Sequence, residues 1–411
     1  MTENIKMKVS IVCPDFNITN IRKQPWRTAF EIAKHMSRYV SDVRIITNDN
    51  NGSLLDYDIN NIRIHVLYQK NIRYPTEKFR DLVQRICPDI ILWFGNALSG
   101  LYIKKYKFLN IPIVLYITQS PLSLIDFSHL RMRKIWQYKY DFFLSALFPF
   151  NKIIRLLNDN LIKRVIVSSK SIRIKLINLG VSSRKIFVAP LIFDNIDDYN
   201  ISSININEAR KRIKIDSDLF VLTYYGGSNT IRGTDTIINS VKSMKSKHID
   251  DILVLLLLRR ETNIPDNDEL YLRSIIKKYE LNEQVKIISK ILSRQELLFF
   301  LFLSDIILLP FKIVPSEPPI GVLEGLSFGK SVITTEISGL REIVTSERGV
   351  LITPSNVGEL QETIMFLMES PMKRFNLGRH AEEFVSRLPG SEFLAEWTAY
   401  KLLQVLKPNR V

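Results

Sequence analysis

One pattern constrains this chain more than any other. A short, unbroken apolar run bounded by polar or turn residues is followed by a longer segment with helical spacing, almost from end to end. In the first half the runs are "KVSIVCP", "DVRIITND", "DIILWFGN", "IPIVLYITQ", "RVIVSS" and "KIFVAP". In the second they are "LFVLTYYGG", "DILVLLLLRR", "VKIISKI", "DIILLPF", "KSVITTE" and "GVLITP". Short apolar runs of this kind read as strands buried on both faces. Between them, "RTAFEIAKHMSRYV" places Ala29, Ile32, Ala33 and Met36 on one helical stripe. "TDTIINSVKSM", "DELYLRSIIKKY", "RQELLFFLFLS" and "VGELQETIMFLMES" read as further helices. Such alternation specifies α/β architecture, with parallel sheets covered by helices on both sides.

A chain of 411 residues with 46% hydrophobic content is long enough for two cores. Apolar periodicity lapses over "PLIFDNIDDYNISSININ", residues 190 to 207, where Asn, Asp and Ser cluster. We therefore expect two doubly wound domains, 1–195 and 205–385. The segment 391–411 reads as a terminal helix with Phe393, Trp397, Tyr400 and Leu403 on its apolar side, placed to pack back on the first domain. Cys13 and Cys87 have no metal-ligand spacing around them, so neither a disulfide framework nor a zinc site is expected. The opening residues lack the pattern of a signal peptide, and no stretch approaches the ~20 apolar residues needed to cross a bilayer. A cytoplasmic setting is the expectation.

Two places offer anion-binding chemistry. In open parallel sheets ligands bind at the carboxyl ends of strands, where helix N-termini present free N–H groups. "VLTYYGGSNTIRGTDTII" ends a strand at Gly226 and Gly227 and then offers Arg232, with Thr234 or Asp235 as candidate N-cap. "SEPPIGVLEGLSFGKSVITT" starts a helix after a Pro-Pro step, so the amides of Ile320, Gly321, Val322 and Leu323 can cradle a diphosphate. Glu324, one turn further in and flanked by Val322, Leu323 and Leu326, suits a ribose diol, because an ionised carboxylate only accepts hydrogen bonds. Glu317 can face the same crevice.

The segment from about 305 to 344, "DIILLPFKIVPSEPPIGVLEGLSFGKSVITTEISGLREIV", resembles the signature region of the retaining glycosyltransferases of family 4, also known as group 1. "YYGGSNTIRGTDTII" resembles that family's phosphate-binding glycine loop, and "RVIVSSKSIRIKLINLGVSSRKIFVAPLIFD" its first-domain exit. The resemblance spans roughly residues 160 to 385. It implies a GT-B fold, two doubly wound domains facing a cleft, and a nucleotide-diphosphate sugar as donor with no cofactor and no metal. It assigns Glu324 to the ribose, Arg232 to the donor phosphates and Gly226 to the loop glycine.

Three departures stand out. The family pairs two glutamates eight positions apart, whereas Ser316 stands eight before Glu324 and the carboxylate is Glu317, one residue late. Gly227 replaces an arginine common after the loop glycine, leaving Arg259, Arg260 and Lys290 as substitutes. The cleft histidine and first-loop glycine pair are absent, so Asn17, Thr118 and Gln119 become the candidates on the acceptor side. The catalytic expectation thus falls on Glu317 and Arg232.

Charge is uneven. Residues 1 to 200 hold 30 Lys plus Arg against 16 Asp plus Glu, so nearly all of the net +15 sits in that half. Between 131 and 175, Arg131, Arg133, Lys134 and Lys139 flank Phe142, Phe143 and Phe148. A basic, aromatic segment suits an anionic membrane surface, and no nucleic-acid reading motif accompanies the charge. The combined expectation is a retaining hexosyltransferase, peripheral on the cytosolic membrane face, acting on a lipid-linked or glycan acceptor. A sugar-nucleotide epimerase of the same fold, or a non-catalytic nucleotide-sugar or glycan-binding protein, is the alternative.

Overall fold

The computed structural model describes residues 5–49, 55–70, 72, 76–122, 150–194, 210, 215–216, 218–260, 264–290 and 292–407. The basic segment with Arg131, Arg133, Lys134, Lys139, Phe142, Phe143 and Phe148 lies outside them. The first sheet comprises β1 (Ile5–Val12), β2 (Val40–Asp49), β3 (Tyr57–Ile59), β4 (Ile62–Tyr68), β5 (Ile90–Gly95), β6 (Ile113–Ile117), β7 (Ile162–Val167) and β8 (Ile186–Val188). Their spatial order is β3-β4-β2-β1-β5-β6-β7-β8. The second comprises β9 (Phe220–Gly226), β10 (Ile252–Leu258), β11 (Val285–Ser289), β12 (Ile306–Leu309), β13 (Ser331–Thr335) and β14 (Val350–Ile352), ordered β11-β10-β9-β12-β13-β14.

Each apolar run singled out in the sequence forms a strand, and all neighbours pair in parallel except β3 with β4. That hairpin was not expected. It turns at Asn60-Asn61, both with positive φ (47° and 64°), a conformation asparagine tolerates. Its β4 strand mixes buried with exposed positions rather than forming one apolar run, which hid it.

Helices cover both faces of the first sheet. On one side Ala29, Ile32, Ala33 and Met36 of the helix Trp26–Met36 join Val9, Ile11 and Ile45 in one core. On the other, Phe79, Leu82 and Val83 of the helix Glu77–Ile86 and Ile172 and Leu176 of the helix Lys170–Asn178 pack on Ile91, Leu115 and Val165. The second sheet has its own core, formed with the helices Thr234–Lys245, Asn267–Lys278, Ile320–Ser327, Val357–Glu369 and Pro371–Ser386.

The terminal helix Ser391–Leu406 packs on the helix Trp26–Met36 under the first sheet. It does so through Leu394, Ala395, Thr398, Ala399 and Leu402, while Phe393 is 46% exposed. The aromatic face expected from the sequence is therefore rotated. Ala395 and Ala399 share one core with Ala29 and Ala33 of that helix, and such small side chains let two packed helices approach closely. Trp397 stays at the rim, edge-on to Phe187. Among the described residues no helix is long and apolar enough to cross a membrane.

Strand order fixes where a ligand can enter. The chain leaves β1 for β2 on one side and later returns to β5 on the other; it leaves β9 for β10 and returns to β12. Connections diverge at these two points, opening a crevice beyond the strand ends. The loops after β9 and β12 are the two candidate stretches.

Candidate active site between the domains

The loop after β9 exposes glycine backbone. Gly226 has φ +147°, and a Cβ there would stand 3.0 Å from the Tyr224 hydroxyl. That hydroxyl donates to the Gly227 carbonyl at 2.6 Å and supports the loop from below. Arg232 closes the short 3-10 turn Thr230–Arg232 and folds back over the glycines. Its Nη1 lies 3.5 Å from where a Gly226 Cβ would be, and its Nε 3.6 Å from that of Gly227. The guanidinium also packs against Phe311, 5.8 Å from the ring centre. Arg232 Nε is buried with no hydrogen-bond partner, and so is Asn229 Oδ1. Native proteins seldom leave a buried guanidinium N–H unpaired, which makes this donor a candidate contact for an anion.

Two clamps hold that turn to the loop after β12. The amides of Lys312 and Ile313 both donate to the Ile231 carbonyl, at 2.8 and 3.1 Å. Lys312 Nζ sits 2.8 Å from Asp235 Oδ1, with both side chains 9% exposed. Gly233, at φ +80°, presses on the Pro310 carbonyl where any Cβ would collide. These contacts correct the capping expectation. Gly233 is the N-cap and offers no side chain, while Asp235 turns inward because buried Lys312 requires a counter-charge. The only signal of Lys312 was a lysine inside the apolar run "PFKIVP".

The helix Ile320–Ser327 begins where the Pro-Pro step predicts, after the N-cap Pro319. The diphosphate cradle needs one correction: the Val322 amide already donates to the Pro319 carbonyl at 2.9 Å. Pro319 supplies no side-chain cap, so the Ile320 and Gly321 amides remain as donors at the helix start. The side chains of Ile320 and Leu323 line a crevice between the domains. Tyr225 donates its hydroxyl to the Gly321 carbonyl and pins the helix start to the end of β9. Burial, then the charge of Glu324, pushes the Tyr225 hydroxyl well above its usual range, so it stays protonated as a donor.

Glu324 is 6% exposed and ion-pairs with Arg294, the first residue of the helix Arg294–Leu303. Sequence reading missed Arg294. Its position is fixed by a capping box in which Ser293 Oγ accepts from the Glu296 amide and Glu296 accepts from the Ser293 amide. Two substitutes for the missing phosphate cation are engaged elsewhere. Arg260 is held by Glu269 and Ser289, and Lys290 binds Glu296 at 2.6 Å. Arg259 is exposed, its amide bonded to the Gly226 carbonyl at 2.7 Å.

Glu317 lies between the domains. Its amide donates to the Thr118 carbonyl at 2.6 Å, and its Oε2 accepts from the Gly339 amide at 3.2 Å. Among the described residues no geometric hydrogen bond to Oε1 or to the neighbouring Ser316 Oγ is found. Burial raises the Glu317 carboxyl above the ordinary glutamate range; Ser169, Ser338 and the Gly339 amide pull the other way, and Glu342 adds to the rise. Glu342 accepts from the amides of Lys170 and Ser171 at 3.0 and 2.7 Å, a second-domain carboxylate capping a first-domain helix.

On the first-domain side, Thr118 follows β6 and is buried against Glu317; Gln119 beside it is half-buried. Asn17 is engaged locally, accepting from the Thr19 amide at 2.9 Å, the Thr19 hydroxyl at 2.6 Å and the Asn20 amide at 3.2 Å. Glu317 and Thr118 thus meet between the domains, Arg232 lies over the glycines after β9, and Asn17 turns on its own loop. Among the described residues no cluster of His, Cys, Asp or Glu could hold a metal ion.

Two doubly wound parallel-sheet domains facing a cleft, with a glycine loop and a helix start at the second switch point, define a GT-B fold. Residues 205–384 match the family described as glycosyl transferases group 1. No curated protein matches the chain in sequence. Among solved structures, sucrose-phosphate synthase from Thermosynechococcus elongatus aligns at TM-score 0.75 with 16% identity, over 98% of this chain and 100% of that one. A glycosyltransferase from Rickettsia africae aligns at TM-score 0.73 and 16% identity, over 98% and 99%. Anabaena HepE in complex with UDP and glucose aligns at TM-score 0.71 and 16% identity, over 97% and 99%.

Proposed function

We propose that the protein is a retaining glycosyltransferase that moves a hexose from a nucleotide-diphosphate sugar to a lipid-linked or glycan acceptor. The observation that carries this reading is Arg232. Its buried Nε, with no hydrogen-bond partner among the described residues, lies beside bare glycine backbone at the second switch point. As the bond from sugar to phosphate breaks, charge grows on the diphosphate, and donors already fixed in place stabilise it more than the ground state. Glu324 takes the ribose hydroxyls. Gly226, Gly227, Ile320 and Gly321 let the diphosphate lie against backbone, and the free Glu317 Oε1 with Ser316 Oγ addresses the sugar. Thr118 and Gln119 belong to the acceptor side. The excess of basic residues before position 200 supports an acceptor presented at an anionic membrane, with the protein peripheral on its cytosolic face.

One observation favours a non-catalytic nucleotide-sugar-binding protein instead: Ser316 stands where the family carries a glutamate, and Glu317 is drawn into a contact between the domains. Release of nucleoside diphosphate from a panel of nucleotide sugars, with the product anomer read by proton NMR, separates the readings. Turnover with the donor's anomeric configuration kept supports the proposal. Binding without turnover supports the alternative, and an inverted anomer contradicts a retaining reaction.

A further inference from the structure

Glu324 is buried, and the cation that compensates it comes from outside the stretches that resemble the family's glycine loop and signature region. Arg294 donates through Nη1 to Glu324 Oε1, its side chain 31% exposed against 8% for Glu324. A contact of this kind between a buried carboxylate and a partly exposed guanidinium fixes the carboxylate's orientation. Arg294 itself is held at helix position N1 by the Ser293–Glu296 capping box, which Lys290 braces from outside through Glu296. Tyr225, the other titratable group facing Glu324, spends its hydroxyl on the Gly321 carbonyl. One oxygen of Glu324 is therefore engaged by Arg294, and no contact with the other, Oε2, is found among the described residues.

We infer that Arg294 is the positioning residue for ribose recognition: it holds the Glu324 carboxylate oriented so that Oε2 accepts the ribose hydroxyls of the donor nucleotide. The inference rests on the nucleotide-sugar reading above and extends it to a residue outside the glycine loop and the 305–344 signature stretch. Arg294 reaches the sugar only through Glu324, so its loss falls on recognition of the 2′-hydroxyl rather than on the diphosphate. Donor binding weakens and the chemical step at saturating donor is spared, because the ribose contact is the same in the ground and transition states.

The test is the affinity ratio of a ribonucleoside diphosphate to its 2′-deoxy form, measured by calorimetry with UDP and dUDP, GDP and dGDP, and ADP and dADP. Wild type is expected to prefer the ribo form of one base by about tenfold or more, the scale of a lost hydrogen bond to a charged group. In Arg294→Ala that ratio falls toward the value of Glu324→Ala, KM for the donor rises and kcat stays within about twofold. Arg294→Lys restores part of the ratio. The double variant Arg294→Gln/Glu324→Gln, which leaves no buried charge unpaired, guards against misfolding and shows the same collapsed ratio as Glu324→Gln alone. A ribose preference unchanged in Arg294→Ala, or a wild type that favours the 2′-deoxy form, overturns the inference. Failure of wild type to bind any of the six, or CMP or dTDP, is a different result, which overturns the nucleotide reading itself.

Discussion

The loops at the two switch points do opposite things with their polar groups. After β1, the loop consumes its own: Asn17 accepts from Thr19 and Asn20, Asn20 donates to the Asp15 carbonyl at 2.5 Å, and the Phe16 amide donates to Thr47 Oγ1 at 2.9 Å. After β9, the loop is clamped from outside by Lys312, Asp235 and Pro310, and keeps Arg232 Nε and Asn229 Oδ1 unpaired. A self-satisfied loop is stable but has little left to offer a ligand. A loop held by its neighbours can keep donors in reserve, because the cost of their burial is carried by contacts elsewhere. On the proposed function, the second domain would be the one preorganised for an anion, and recognition groups of the first would come from elements other than this loop.

Breaking the clamp gives the largest effect. Lys312→Met leaves Asp235 as an uncompensated buried carboxylate and is expected to cost about 3–5 kcal/mol in urea denaturation. Adding Asp235→Leu recovers most of that loss, since a buried ion pair and a packed apolar pair are often equivalent. Removing the reserved donor comes next. Arg232→Ala is expected to lower kcat by about 10²–10³-fold, ~2.7–4 kcal/mol of barrier, with little change in stability because Nε has no partner to lose.

The first-domain loop responds in the other direction. Asn17→Ala removes its turn-forming acceptor and is expected to cost ~1 kcal/mol of stability while leaving nucleoside diphosphate affinity unchanged. The smallest effect is a pH dependence at Glu317. Burial holds its carboxyl above the ordinary range, so the folded protein binds that proton more tightly than the unfolded chain. Stability from this group is present at low pH and is lost as pH rises through the folded-state value. Glu317→Gln removes the titration, so melting temperatures of variant and wild type differ least near pH 4, and the variant gains on wild type toward pH 8. A difference that shrinks with rising pH would mean the carboxyl is ionised in the native protein at low pH.

What the sequence made legible was set by periodicity. Continuous apolar runs located the parallel strands, because burial on both faces leaves no polar alternation. The β3–β4 hairpin escaped because β4 alternates and its turn is an Asn pair rather than a glycine signal. The terminal helix was found but rotated, since counting aromatics overlooked the alanine seam that packs more closely. Within the site, Arg232, Gly226 and Glu324 were legible from their offsets to strand ends and helix starts. Lys312, Arg294 and Tyr225 were not, because each acts through a partner distant in sequence: Asp235 at a separation of 77 residues, Glu324 at 30 and Gly321 at 96.

The central claim is that the facing strand ends of the second domain bind a nucleoside diphosphate through Arg232, the start of the helix Ile320–Ser327 and Glu324. The most direct test is thermal stabilisation by UDP, GDP, ADP, CMP and dTDP, on wild type and on Glu324→Ala. A nucleotide present at 100-fold its dissociation constant adds ~2.7 kcal/mol of stability. The account predicts that one diphosphate raises the melting temperature of wild type and that Glu324→Ala loses most of the gain. A wild type that responds to none of them, or a Glu324→Ala variant that responds as fully as wild type, contradicts it.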